Sequence, residues 1–175
     1  HKILIKSAND LISESNPNYQ YVAARLLNME LRKEVWGHGN QSPDLQHFLE
    51  IKVDNGIYDP FILEKWSKEE ISIFSSYINH KRDDLFTYAG LQQMIDKYLV
   101  KNRSTGQIYE TPQFAYMAIA MCLFKTVDEV KEAYDTYSTF KINLPTPIMA
   151  GVRTNIKQFA SCVLVDVDDD LDGIF

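Results

Sequence analysis

Apolar residues recur with helical spacing at Ile3, Leu4, Leu11 and Ile12, which predicts a helix over 2–14. Asn16-Pro17 reads as an N-cap followed by proline at the first helical position, so a second helix is expected to start there. Its apolar face comprises Tyr19, Val22, Ala23, Leu26, Leu27 and Val35, and Gly37 is placed to end it in a left-handed cap. Ser42-Pro43 repeats the start signal for a helix to about Val53, and Asn55-Gly56 marks a turn. Ser67 with Glu70 and Thr126 with Glu129 are capping boxes, which predict helices over 68–79 and 127–139. Between them, 83–98 has helical spacing at Leu85, Tyr88, Leu91 and Ile95, continued by Leu99.

The first non-helical signal is KNRSTG, flanked by the β-prone YLV and QIY, which reads as a small hairpin closed by a glycine turn. Thr111-Pro112 then opens an apolar helix over 113–124. After Phe140 the period is lost. Residues 140–156 hold two prolines around Thr146 and a glycine at 151, and are expected to form an extended, ordered loop. The last element, FASCVLVDV at 159–167, has the apolar density of a strand buried on both faces, as in a parallel α/β sheet or barrel. Such a strand needs partners for its N–H and C=O groups, and alone it would leave open edges.

At 175 residues, 45% apolar and 24% charged, the chain falls in the soluble globular range. A net charge of −6 disfavours a nucleic-acid surface, because the 18 basic residues are scattered among 24 acidic ones. A single phosphate group needs no such field, since backbone N–H groups and hydroxyls can hold it. The longest apolar run, 114–124, is far short of the roughly 20 residues that cross a bilayer as a helix. The N-terminus lacks the features of a secretory signal and does not begin with Met, so the expectation is a cytoplasmic protein whose natural start has been lost or processed. Two cysteines, Cys122 and Cys162, are too few for a disulfide framework.

Thr146, between two prolines, carries a hydroxyl on a stiff backbone, and Ser161 places another beside Cys162 at the start of the expected strand. Such hydroxyls suit a phosphate. Taken alone, however, Thr-Pro is also ordinary turn chemistry and Ser-Cys an ordinary strand core. The acidic run VDDDLD equally suits a solvated loop. A calcium loop is excluded there, because no glycine follows Asp166, Asp168 and Asp170 at the required place. His38, His47 and His80 have no metal-ligand spacing and read as surface or capping residues.

The motifs YQYVAARL, YLVKNRSTGQIYETPQF, STFKINLPTPIMAGVRT and QFASCVLVDVDDDLDGI are similar, in this order, to the large, catalytic subunits of class I ribonucleotide reductases. The resemblance covers essentially the whole chain. It implies a mainly α fold: a remnant of ATP-cone helices over 1–37, a helical N-terminal domain with a small hairpin over 38–140, and a substrate loop with the first strand of a ten-stranded α/β barrel over 141–175.

It also implies roles. Cys162 matches one cysteine of the redox pair that reduces the substrate ribose; its partner should come within the usual disulfide span of about 4–7 Å between Cα atoms. Thr146 and Ser161 match positions that hold the substrate's diphosphate and ribose region. Asp169 matches a contact to the deoxynucleoside triphosphate effector, and His1 and Lys33 match nucleotide contacts of the ATP cone. For His1 a helix-terminal surface residue, and for Lys33 an exposed helix face, are the plain alternatives.

The implied activity is reduction of ribonucleoside diphosphates by thiyl-radical chemistry, under dNTP and ATP effectors. No cofactor is expected on this chain; a metal-radical cofactor is expected in a small partner subunit. Further implied partners are the remainder of the large subunit, on the same or a second polypeptide, a second large subunit in a homodimer, and thioredoxin or glutaredoxin as reductant. Without the rest of the barrel the chain is expected to be inactive. The rival expectation is a non-catalytic helical interaction module that docks its strand into a partner.

Overall fold

The computed structural model describes residues 2–37, 41–160, 162 and 164. Its helices are α1 (Lys2–Asp10), α2 (Tyr19–Trp36), α3 (Leu45–Asp54), α4 (Phe61–Lys65), α5 (Lys68–Tyr77), α6 (Tyr88–Gln93), α7 (Pro112–Leu123), α8 (Val127–Ser138) and α9 (Thr146–Gly151). A 3-10 turn (His80–Leu85) precedes α6, and a π turn (Met94–Tyr98) follows it. Among the described residues β-structure is confined to one antiparallel bridge, Lys101 with Ile108. No helix of these residues is long and apolar enough to cross a membrane.

The core is built around α7. Every residue from Pro112 to Met121 is buried, which requires partners on all sides. Elements α4, α8 and the 3-10 turn pack against it, and Phe114 stacks on Phe48 of α3 at 4.3 Å between ring centroids. A buried helix must also satisfy its terminal carbonyls. The Lys65 ammonium donates to the carbonyls of Met121 (2.8 Å) and Cys122 (3.0 Å), and the Trp66 indole N–H to Met121 (3.0 Å).

Both capping boxes form. The Ser67 hydroxyl accepts from Glu70 N while the Glu70 carboxylate accepts from Ser67 N, and Thr126 with Glu129 does the same. The hairpin forms as a single bridge, closed by Gly106 at φ 77° with Asn102 N donating to Gln107 O (2.8 Å). Gly37 ends α2 at φ 83°, and Asn55-Gly56 turns with Gly56 at φ 67°.

Other expectations are corrected. Helix α2 starts at Tyr19, not at Pro17: Asn16 N donates to Ser13 Oγ (3.2 Å), which commits Asn16 to closing the preceding turn. Tyr19 and Val22 are exposed, and the stripe that α2 buries is Ala23, Ala24, Asn28 and Leu31. The cap of α3 is Asp44 rather than Ser42. Its carboxylate accepts from the N–H groups of Gln46 (2.9 Å) and His47 (3.4 Å).

Residues 83–98 are not one helix. Phe86 is extended, and the Thr87 hydroxyl then accepts from Gly90 N (3.2 Å), a cap that competes with helical continuity. A Cβ on Gly90 would lie 3.1 Å from that hydroxyl, so any larger residue there would push the capping hydroxyl back by a few tenths of an ångström. His80 is not a surface residue. Its ring packs edge-on to Trp36 (4.9 Å) and Phe114 (5.2 Å).

Helix α8 ends with Lys141 N donating to Thr136 O (3.0 Å) and Phe140 N to Tyr137 O (3.1 Å), which puts Phe140 at φ 60° where glycine is usual. Edge-on contact with Phe86 at 4.7 Å holds the ring in place. The expected loop over 140–156 contains the helix α9. Its six residues are too few to show a period, and Pro147 enters at an early position, where a missing N–H is harmless. Of the expected strand over 159–167, residues 159, 160, 162 and 164 do not belong to a strand, and the others lie outside the described residues.

Burial first, then the nearby Arg32 charge, lowers the pKa of His80 from 6.5 to about 4. An unfolded chain protonates this histidine below pH 6.5 while the folded one does not until about pH 4, so stability falls as pH drops through that window. Urea unfolding should lose at most about 2 kcal/mol from this group between pH 6.5 and 4.5, at about 1.4 kcal/mol per pH unit. The variant His80→Gln should lack that part of the slope.

Candidate functional site

Two residues beyond α9, Arg153 is completely buried, and so is the Glu110 that it faces. Arg153 Nε donates to Glu110 Oε2 (2.8 Å) and one terminal nitrogen to Glu110 Oε1, a two-pronged ion pair. Two of its three remaining N–H donors go to backbone: Met149 O at 2.6 Å and Tyr98 O at 3.0 Å. Glu110 also accepts from Val100 N (2.6 Å) and from the hydroxyl of buried Tyr58. The Arg153 carbonyl accepts from Asp59 N at 3.0 Å. Burial would lower the Arg153 pKa, but Glu110 overrides it and the guanidinium is held charged. Burial, then the Glu110 charge, pushes the Tyr58 phenol well above its usual range.

This network fixes one wall of a cleft of about 690 Å³. Thr146, Thr154 and Asp96 line it together with Lys101, Arg103 and Tyr109 of the hairpin, and it runs to Ala160. Thr146 is exposed, as the first residue of α9. Lys101 also ties down the π turn, donating to Asp96 O at 2.8 Å. The segment after α9 is pinned by Thr154 N to Gly151 O (2.9 Å) and by the Lys157–Asp59 ion pair at 2.5 Å. A hydroxyl and two cationic side chains lining one open cleft, with Asp96 as the acid beside them, are groups that can hold an anion.

Residues 84–157 match the model of the family described as ribonucleotide reductase, all-alpha domain. The chain is 49% identical over 99% of its length to ribonucleoside-diphosphate reductase 1 subunit alpha of Salmonella typhimurium, and 47% identical over the same share to that of Escherichia coli K12. A phage T4 ribonucleoside-diphosphate reductase subunit alpha is 49% identical over 98% of the chain. Over nearly its whole length the chain is thus similar to one part of the ribonucleotide reductase alpha subunits. It spans about a quarter of the length of these relatives, 24% of the two bacterial proteins and 23% of the phage protein.

Of the residues that the reductase resemblance singled out, Thr146, Lys33 and Cys162 lie among the described ones; His1, Ser161 and Asp169 lie outside them. Thr146 stands in the cleft, while Lys33 is exposed on the last turn of α2 and is not part of the cleft wall. Cys162 is exposed, two residues beyond the point that the cleft reaches. Burial pushes the Cys122 thiol up to about 11, so it stays protonated at neutral pH and is a poor nucleophile. Among the described residues no three His, Cys, Asp or Glu side chains gather as a metal-ion site.

Sequence reasoning missed Glu110, Arg153 and Tyr58. The available signal was a lone acid in IYETPQFAYMAIAM and a lone base in PIMAGVRT, two opposite charges each set in apolar surroundings. Replacing Arg153 by Met leaves Glu110 buried without its counter-charge and should cost about 3–5 kcal/mol. Urea unfolding should show the double variant Glu110→Leu/Arg153→Met losing less than half as much, since it buries no lone charge.

Proposed function

We propose that the chain forms part of the large subunit of a ribonucleoside-diphosphate reductase, supplying its substrate loop and one cysteine of its redox pair. Thr146 binds the substrate's diphosphate, Ser161 contributes a second hydroxyl to the diphosphate and ribose region, and Cys162 supplies reducing equivalents. The observation that carries the reading is Thr146 at the cleft, which leads along the chain to Ala160, next to the SCVL motif. Identity of 47–49% over nearly the whole chain to ribonucleoside-diphosphate reductase alpha subunits supports it.

In the reaction two thiols become a disulfide, the C2′ hydroxyl leaves as water, and a hydrogen takes its place on the ribose. The resemblance matches Cys122 to no catalytic position and implies that the second thiol belongs to a cysteine outside these 175 residues. A small subunit with a metal-radical cofactor starts the chemistry, and thioredoxin or glutaredoxin restores the thiols. Once the remainder of the large subunit is in place, residues 159–167 supply the first strand of the α/β barrel, and Asp169 contacts the dNTP effector at the interface of a large-subunit homodimer. His1 and Lys33 belong to the remnant of an ATP cone.

In the reconstituted holoenzyme Cys162→Ser should abolish sustained turnover, because a serine hydroxyl forms no disulfide. Substrate and effector binding should survive, and thiol titration across a single turnover should show one oxidised pair fewer than in the unsubstituted enzyme. Normal cycling of that variant with thioredoxin would end the redox assignment. Thr146→Val, which keeps the shape and removes the hydroxyl, should raise KM for the nucleoside diphosphate about tenfold, the cost of one hydrogen bond to a charged group.

A further inference from the structure

Helix α9 cannot hold its own position. Six residues rise about 9 Å, and a helix that short is unstable without contacts from elsewhere. Its anchors are the buried Met149 side chain and the Arg153 guanidinium, which donates to the Met149 carbonyl one turn back. The other faces of the guanidinium are fixed at Tyr98, where the π turn ends, and at Glu110, just before α7. Tyr58, from the segment between α3 and α4, fixes Glu110 in turn. Three separate parts of the helical core thus meet one planar cation, and α9 hangs from it.

We infer that Arg153 is a positioning residue for the substrate: held by Glu110 and Tyr58, it sets where α9 presents Thr146 to the cleft. This rests on the reading of Thr146 as a diphosphate contact. Arg153 itself is completely buried and does not line the cleft, so it touches no substrate and acts only through α9. A lysine would keep the charge, but its single ammonium cannot make a two-pronged pair and reach two carbonyls in fixed directions. Misplacement of a binding group by about 1 Å is enough to cost a large factor in rate or affinity.

The test uses the assembled holoenzyme with cytidine diphosphate as substrate, comparing Thr146→Val, Arg153→Lys, their double variant, and Tyr58→Phe, which removes one hydroxyl from the network and leaves the ion pair. Arg153→Lys should raise KM about tenfold and change kcat by less than threefold. The double variant should be no worse than the worse single variant, because a displaced loop and a missing hydroxyl lose the same contact. Tyr58→Phe should move KM about twofold in the same direction, and it carries the test if Arg153→Lys fails to fold. Amide exchange should quicken over 144–152 in Arg153→Lys and stay unchanged in α8.

If Thr146→Val raises KM while Arg153→Lys and Tyr58→Phe leave it alone, or if the Thr146 and Arg153 effects multiply, Arg153 has no positioning role and the substrate reading stands. If Thr146→Val leaves KM unchanged, the substrate reading falls and this inference falls with it.

Discussion

Glu110 and Arg153 are two charges held entirely away from water, and neither is tolerable there without the other. Desolvating each costs several kcal/mol, which only close pairing and full use of the remaining donors and acceptors offset. That demand organises what surrounds them. Two of the donors left over on the guanidinium reach the carbonyls of Met149 and Tyr98, and the carboxylate draws in Val100 N and the Tyr58 hydroxyl. The α9 segment, the π turn, the hairpin and the α3–α4 connection therefore meet at one point, because each supplies a group that the pair requires.

The polar groups of the core gather at one end of α7. Three positions after Glu110, Gln113 donates to buried Asp83 (2.9 Å) and accepts from the Tyr134 hydroxyl (2.7 Å). Arg32 of α2 completes this second network with a 2.9 Å ion pair to Asp83. The rest of α7 is apolar, closed at its far end by Lys65 and Trp66. One helix thus has a hydrogen-bonded start that orients α2, α8 and α9, and an apolar body that supplies the hydrophobic burial. Orientation and stability come from different stretches of the same element.

Elements written as short local signals were legible in the sequence. Both capping boxes, Thr111-Pro112, Gly37 and Asn55-Gly56 each depend on two or three adjacent residues, and all are found where expected. Where two local signals compete for the same groups, the reading failed. Apolar spacing over 83–98 is compatible with one helix or with three pieces, and the Thr87 cap with its glycine decides for the pieces. The start of α2 was lost to Ser13, which had already taken Asn16. Thr146 in the cleft was visible through its motif, whereas Arg153 and Glu110 behind it were marked only by their apolar surroundings, which do not show that the two charges pair with each other across 43 residues.

The separation of the pair along the chain has a consequence for biosynthesis. Glu110 precedes Arg153 by 43 residues. At roughly 5–20 residues per second, a ribosome releases the acid some two to nine seconds before the base. Through that interval the carboxylate has no counter-ion and must stay hydrated, which keeps the start of α7 open while α3, α5 and α8 are already at hand to assemble. The seam beside the cleft therefore cannot close before residue 153 has left the ribosome, which ties the placing of the loop that carries Thr146 to a late residue of this segment.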